Sequence, residues 1–365
     1  MMVTNAVRAM IEPNRRTRRV QSSKSIHPAQ FTYSNAYQGY HHPTVNILPD
    51  LMRNDTFIFL NPVAIIIVAL ETQNDAYFRS EQKKLWDVSA VGLEKWLHVT
   101  QAASQDVTDR MMELAGIKPG YNVLDIATGI GDPAIDAARI VQPTGRVLAV
   151  DLSQRRLATA RRRAKEQGLE NLIEFIESDI EIMELPYSKF NAILSKWGLM
   201  FFAHLERLLS RILDALLSDR GGGGGGVFVA AVWSIPEKVP SMKIPSLVLD
   251  RLEVPPLPTA VNPFRLSDMS VLSKLFIEAG FEDVKTEAIP VTYRFDSAED
   301  YFDFAYETSG SFKGRITNAA AFLSDEKHDK IRSDIVNEAR SFVDSKGQLS
   351  MSNETLLIAG RRGLH

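Results

Sequence analysis

Three carboxylates and a glycine turn define the chemistry open to this 365-residue sequence. Asp125 stands in the string Val123-Leu124-Asp125-Ile126-Ala127-Thr128-Gly129-Ile130-Gly131-Asp132-Pro133-Ala134. Asp151 closes Arg146-Val147-Leu148-Ala149-Val150-Asp151, and Asp179 lies in Glu177-Ser178-Asp179-Ile180. Gly129 and Gly131 admit positive φ and let backbone approach a ligand closely. Asp132 suits an N-cap and Pro133 the first helical position. The helix that starts there turns free amides toward the crevice above the sheet. An acid about twenty positions beyond a glycine turn, at the tip of the next strand, can accept hydrogen bonds from ribose hydroxyls. At a third tip, Asp179 could take an adenine amino group with Ile180 against the ring face.

The same spacing is compatible with a nicotinamide dinucleotide. Three features separate the two cases. A carboxylate at Asp125 repels a pyrophosphate but welcomes a cationic amino-acid moiety. Ala134 stands where a third glycine would be, a tolerated variant. The last strand follows a helix–strand pair near the C-terminus, with no second nucleotide-binding half.

The elements that must position these residues alternate. Strands are expected at Val123–Ala127, Arg146–Val150, Leu172–Ile176, Ala192–Ser195, Val227–Val232, Val284–Ala288 and Thr355–Gly360. Helices are expected at Pro133–Val141, Gln154–Gln167, Leu205–Leu217 and Met269–Ala279. Such alternation means crossover units and a doubly wound, mostly parallel sheet. Trp86, Leu93, Trp96 and Leu97, then Val107, Met111, Leu114 and Ala115, recur at helical spacing before it. Two stretches break the rhythm. Ser234–Ser267 is proline-rich and irregular, and Pro290–Asn353 carries helices around Tyr301–Tyr306 and Asp325–Val343. Both read as a cap over the site.

The string Leu124 to Asp132 resembles motif I of the class I S-adenosylmethionine-dependent methyltransferases, and most closely the broad family that includes the ubiquinone/menaquinone C-methyltransferases. The resemblance extends to Asp151, to Asp179-Ile180 and to Phe190 through Phe201; it is tight from Gly120 to Phe202. It implies a Rossmann-like sheet of seven strands, the last antiparallel, with helical cap insertions. It implies S-adenosylmethionine as cofactor and methyl transfer to a small-molecule acceptor. Asp125 and the turn Ala127, Thr128, Gly129, Ile130 and Gly131 would hold the methionine end. Asp151 with Leu152 would hold the ribose, and Asp179 with Ile180 the adenine. Lys196 and Trp197 would face cofactor or acceptor. The long Pro290–Asn353 connection departs from the quinone enzymes and puts a quinone acceptor in doubt. A nicotinamide-dependent oxidoreductase and a non-catalytic S-adenosylmethionine-binding protein are the alternatives.

Methyl transfer from a sulfonium needs alignment and exclusion of water, and a base only where the acceptor is protonated. His98 and His204 are the candidate bases. Trp86, Trp96, Met200 and Tyr301 are the candidate acceptor walls, each with core packing as the plainer role. The basic helix bearing Arg155, Arg156, Arg161, Arg162 and Arg163 reads as a solvated face balanced by Glu166 and Glu170, not as a nucleic-acid surface.

Composition narrows the classes further. Lys+Arg 42 against Asp+Glu 45 gives a net charge of -3, which supplies no drive toward polyanions. With no cysteine, disulfides, thiolate metal sites and cysteine nucleophiles are excluded. No metal-ligand spacing is evident, and His41-His42 reads as solvated. The chain divides into a basic extension with an apolar segment (1–72), lid helices (73–119), the cofactor-binding core (120–234), a first cap (235–266), core again (267–289), a helical cap (290–353) and the final strand and tail (354–365). The extension reads as a disordered tail, with organelle targeting as the alternative to a cytoplasmic protein. Its apolar run Phe57–Leu70 is too short for a membrane span and reads as a buried strand or packing segment. Gly221–Gly226 reads as a slack turn, since no P-loop lysine follows.

Overall fold

β5, Val227–Trp233, is buried at every position, as a strand covered on both faces must be. It is an interior strand, the fifth of seven, in a sheet of order β3-β2-β1-β4-β5-β7-β6. The computed structural model describes residues 62–218, 224–319 and 324–363, with side chains from Asn74 onward. β1 (Asn122–Ile126), β2 (Arg146–Asp151), β3 (Ile173–Glu177) and β4 (Ala192–Lys196) pair in parallel, and β4 pairs in parallel with β5. β7 (Leu349–Arg361) enters antiparallel between β5 and β6 (Glu282–Phe295). The expected seven-stranded, doubly wound, mostly parallel sheet is therefore present, with helices on both faces.

Among the described residues the α-helices in chain order are α1 (Pro62–Lys95), α2 (Leu97–Ala115), α3 (Ala134–Val141), α4 (Gln154–Glu166), α5 (Leu205–Ala215), α6 (Pro240–Arg251), α7 (Met269–Glu278), α8 (Ala298–Thr308), α9 (Gly310–Ala319) and α10 (Asp325–Ala339). Local chemistry sets several of their ends. Ser153 accepts from Arg156 N at the start of α4, and Asp268 from Ser270 N and Val271 N at the start of α7. Gly116, at φ 58°, closes α2 in the left-handed conformation. Among the described residues no helix is long and apolar enough to cross a membrane.

Several expectations change. The part of Phe57–Leu70 that is described, from Pro62 on, is the start of α1 and not a strand; a short apolar run does not distinguish the two by pattern. The rest of the basic extension, including His41 and His42, lies outside the described residues, as do Gly221–Gly223. Of the remaining glycines, Gly225 is tightly held: a Cβ there would lie 1.9 Å from the Arg362 carbonyl oxygen. Ser234–Ser267 is not irregular throughout, since it holds a 3₁₀ turn at Pro236–Lys238 and α6.

The second cap is shorter than 290–353. β6 and β7 run on past the sheet as a long ribbon, with Pro290 opposite Glu354 and Phe295 opposite Leu349. Pro290 is tolerated there because β6 is an edge strand and loses no central ladder bond. The ribbon carries α8, α9 and α10 at its far end. The hydrophobic core is continuous from the sheet into these helices, through Val291, Tyr293, Phe295, Tyr301, Phe304 and Ile335.

Candidate functional site

The turn after β1 is built from left-handed residues: Ala127 at φ 58°, Gly129 at 57° and Gly131 at 104°. At Gly131 a side chain is also excluded by space, because its Cβ would sit 2.9 Å from Ile135 Cδ1. The turn is tied down by Thr128 N donating to Val150 O (3.0 Å) and Gly131 N donating to Thr128 O (2.9 Å). On its other side lies the turn after β4. There Trp197 is at φ 57°, and a Cβ at Gly198 would be 2.6 Å from that of Ala127. The two turns thus meet at the carboxyl ends of adjacent parallel strands, where doubly wound sheets bind ligands.

Asp125 is fully buried beneath this meeting point. Its Oδ2 accepts from Ala134 N at 3.1 Å, so the strand carboxylate, not Asp132, satisfies the first amide of α3. Asp132 instead accepts from both terminal nitrogens of Arg163, at 3.1 Å each, and Pro133 occupies the cap position without a side-chain bond. Burial pushes the Asp125 carboxyl up to about 7, against the opposing effects of the Thr128 hydroxyl, Lys196 and the Ala134 amide. Asp125 Oδ1, Thr128 Oγ1 and Ser195 Oγ are buried without a partner in hydrogen-bonding geometry. Buried polar atoms are normally paired, so Asp125 Oδ1 and Thr128 Oγ1, three residues apart at the β1 turn, stay open to a polar ligand.

Asp151 accepts from Gly129 N through Oδ2 and from Ser153 N through Oδ1, both at 2.8 Å. One amide to each oxygen leaves each with further acceptor capacity. Burial raises its pKa, opposed first by Arg156. Asp179 accepts from Glu181 N at 2.9 Å, and its other oxygen is 3.1 Å from Arg79 Nε. Ile180 is buried beside it. Leu152 offers its carbonyl to Lys83 Nζ at 3.1 Å. The strand tips therefore bring together the expected residues of the motif, Asp151, Leu152, Asp179 and Ile180.

Lys196 Nζ donates to Thr108 Oγ1 at 3.0 Å and Ser104 Oγ at 3.3 Å, both from α2. Burial lowers its pKa against the pull of Asp132, Asp136 and Asp125. Trp197 stacks on Trp233 with centroids 4.5 Å apart and donates to Thr355 Oγ1. Nothing in the sequence pattern singled out Ser104 and Thr108; they read as polar positions in a helical stretch. Their inward, i,i+4 placement was the available signal.

The other expected site residues fare differently. His98 is exposed on a different face of α2 from Ser104 and Thr108, its ring 6.3 Å from Trp96. His204 precedes α5, half exposed, with Nε2 2.9 Å from Asp75 Oδ2. Neither histidine contacts the strand-tip carboxylates. Trp96 packs edge-on to Phe295 and Phe304 and donates to Glu307 Oε2, and Tyr301 is wholly buried with its hydroxyl on Ser241 O. Met200 is likewise wholly buried. Met200 and Tyr301 keep no open surface and Trp96 little, so these three pack in the core. Trp86 stands nearer the crevice, 4.7 Å from Phe201 and beneath the Arg156 guanidinium at 4.7 Å. The arginines of α4 are not a uniformly solvated face: Arg156 donates to Trp86 O and Ser89 Oγ, Arg161 to Phe175 O, and Arg163 to Ile130 O.

A cavity of about 580 Å³ lies elsewhere, between α1, the loop at Leu257–Thr259 and α9, lined in part by Tyr77, Leu85, Arg155 and Lys313. It includes none of the strand-tip carboxylates. Among the described residues no cluster of three or more His, Asp or Glu side chains is arranged to hold a metal ion.

The sheet order and this crevice define a doubly wound, Rossmann-like fold with its ligand crevice at the strand tips. Residues 123–219 match the model of the methyltransferase domain family. The chain is 34% identical over 105 residues to a ubiquinone/menaquinone biosynthesis C-methyltransferase UbiE of Ectopseudomonas oleovorans, a match covering 29% of this chain and 62% of that protein. It is also 34% identical over 105 residues to the protein of the same description in Pseudomonas entomophila, covering 41% of it. The chain thus spans less than two thirds of either relative. Among solved structures it is similar to the YcgJ protein from Bacillus subtilis, at 20% identity and a TM-score of 0.47, over 71% of this chain and 99% of that one.

Proposed function

We propose that the chain transfers a methyl group from S-adenosylmethionine to a small-molecule acceptor. The observation that carries this reading is the set of carboxylates on three adjacent strand tips, Asp125, Asp151 and Asp179, around a glycine turn with orphaned buried oxygens. The residues fit that cofactor. Asp125 Oδ1 and Thr128 Oγ1 are free to accept from an ammonium, and Ala127–Gly131 gives a backbone surface for the methionine end. Asp151 has acceptor capacity for ribose hydroxyls, with Leu152 alongside. Asp179 and Ile180 suit the polar edge and face of adenine. The matched methyltransferase domain over residues 123–219 supports the same assignment.

The bound sulfonium supplies a methyl group already activated for in-line displacement. The protein then has to fix the cofactor, align an acceptor beyond the β4 and β5 tips and keep water out. Trp197, held against Trp233, and Trp86 offer aromatic faces, which suit a cationic donor. No role as a base is assigned to His98 or His204. A small acceptor is favoured over nucleic acid by the engaged arginines of α4 and the near-neutral net charge. Location in the cytoplasm belongs to the same reading, with organelle targeting through the basic N-terminal stretch as the alternative; tagging the full chain and imaging it separates the two.

Calorimetric titration with S-adenosylhomocysteine tests the reading. Binding is expected, and Asp151→Ala should weaken it by about 1.5–3 kcal/mol, the range of hydrogen bonds to a charged group. Binding of a pyridine nucleotide and not of S-adenosylhomocysteine would establish the oxidoreductase alternative. Cofactor binding without turnover of labelled methyl donor in metabolite extracts would point to a non-catalytic binding protein.

A further inference from the structure

We propose that the cavity between α1, the Leu257–Thr259 loop and α9 binds a small amphipathic anion: an aromatic or alkyl body carrying a carboxylate, sulfonate or phosphate group. This site is separate from the strand-tip crevice and does not depend on what that crevice holds.

The cavity, about 580 Å³, has the size of a small-molecule pocket. On α1 its lining residues Tyr77, Glu81, Lys84, Leu85 and Val88 recur at helical spacing. That stripe is distinct from the one that carries Arg79, Lys83 and Asp87 to the strand tips and α4. Tyr77 is 58% exposed and Val88 43%. Large apolar side chains left open on one stripe, with Leu257 and Pro258 beside them, are surface that an apolar ligand body would cover.

On α9 the lining is kept small. Gly310 has to be glycine, since its Cβ would lie 2.1 Å from Leu85 O. Gly314, one turn on, has no left-handed φ to require it, and a Cβ there would meet only the ends of two side chains, Leu85 Cδ1 or Cδ2 and Leu257. Glycine weakens a helix, yet here it leaves the cavity wall free of a side chain.

The charges on the lining select the ligand. Glu81 is its one acid, and Lys84 pairs with it. Arg155, at the start of α4, and Lys313 line the same cavity and make no ion pair among the described residues. Lys313 Nζ lies instead over the Tyr306 ring, 5.3 Å from its centroid. An anion supplies the charge this lining lacks, whereas a neutral or cationic guest leaves both cations unmatched.

The test titrates the full chain by fluorescence with two probes, anilinonaphthalene sulfonate and phenylnaphthylamine, which is the same aromatic body without the sulfonate. The sulfonate should bind, and saturating S-adenosylhomocysteine should not displace it. Thr317→Trp puts a large ring into the cavity from a side chain bonded only to its own helix, and should weaken both probes about tenfold or more. If that variant does not fold, Val88→Glu, at an exposed position, should weaken the sulfonate about tenfold by like-charge repulsion. Arg155→Gln combined with Lys313→Gln should weaken the sulfonate about tenfold while leaving phenylnaphthylamine within about threefold. No sulfonate binding to wild-type protein would overturn the proposal. Displacement by S-adenosylhomocysteine, or an affinity that ignores Thr317→Trp and Val88→Glu, would place the probe elsewhere and overturn it too. Equal losses of both probes in the Arg155 and Lys313 double variant would refute the choice of an anion. Sulfonate binding by a chain that does not bind S-adenosylhomocysteine would support this site and overturn only the cofactor assignment.

Discussion

Asp125 works against the fold that contains it. A carboxylate at this depth is costly to ionise, and its pKa of about 7 records that cost. The folded state therefore holds this proton more tightly than the unfolded chain, whose ordinary value is 3.8. Stability contributed by the protonated form is fully present below about 3.8 and is lost as pH rises from there through about 7. Asp125→Asn should raise the melting temperature at pH 8 by a few degrees, with the gain shrinking toward pH 5; differential scanning calorimetry at the two pH values checks this. The same variant should bind S-adenosylhomocysteine at least tenfold more weakly at pH 8. Wild-type affinity should itself fall as pH drops below about 7, because the carboxylate must be ionised to accept from an ammonium. A group that lowers stability and raises affinity fits a binding site better than a structural core.

At the scale of elements, α1 is the part that joins the crevice to the cap. One stripe of it meets the strand tips and α4: Arg79 reaches Asp179, Lys83 reaches Glu177 and Leu152 O, Asp87 accepts from Ser153 Oγ, and Glu94 accepts from Thr159 Oγ1. A second stripe meets the cap, with Gln82 donating to Thr259 O and Lys95 pairing with Glu307. Arg79, Lys83, Asp87 and Glu94 follow helical spacing, while Gln82 and Lys95 flank the opposite face. The cap-side contact is backbone against backbone: a Cβ on Gly92 would lie 2.0 Å from Glu307 O, and one on Gly310 2.1 Å from Leu85 O. Gly92→Ala and Gly310→Ala should each lose roughly 1–3 kcal/mol of stability, the usual cost of overpacking, despite the better helix propensity of alanine. Chemical denaturation measures it, and an unchanged or raised midpoint would mean that the helices part without cost.

Across the described part of the molecule, sheet and cap share one core. Phe228, Phe276 and Phe281 stack behind β5 and β7, and the same cluster continues through Tyr293 and Phe295 to Tyr301, Phe304 and Ile335. Because that apolar cluster is continuous, the two should unfold together. Tryptophan fluorescence and far-UV circular dichroism are expected to give superimposable urea transitions for the 62–363 region; a separate early transition would make the cap an independent unit.

The order of strands, the glycine turn and the three strand-tip acids were legible in the sequence, because each rests on local chemistry. Apolar runs make buried strands, glycines make tight turns, and an acid at a strand end faces the crevice in any sheet of this winding. Tertiary structure alone decided the rest. It gave the cap of α3 to Asp125 and not Asp132, since Arg163, distant in sequence, claims Asp132. It put Trp96, Met200 and Tyr301 in the core and left His98 and His204 exposed, because aromatic and histidine side chains suit pocket, core and surface alike until neighbours are known. It also set Ser104 and Thr108 against Lys196, a contact fixed by where α2 crosses the sheet and by nothing in the residues between.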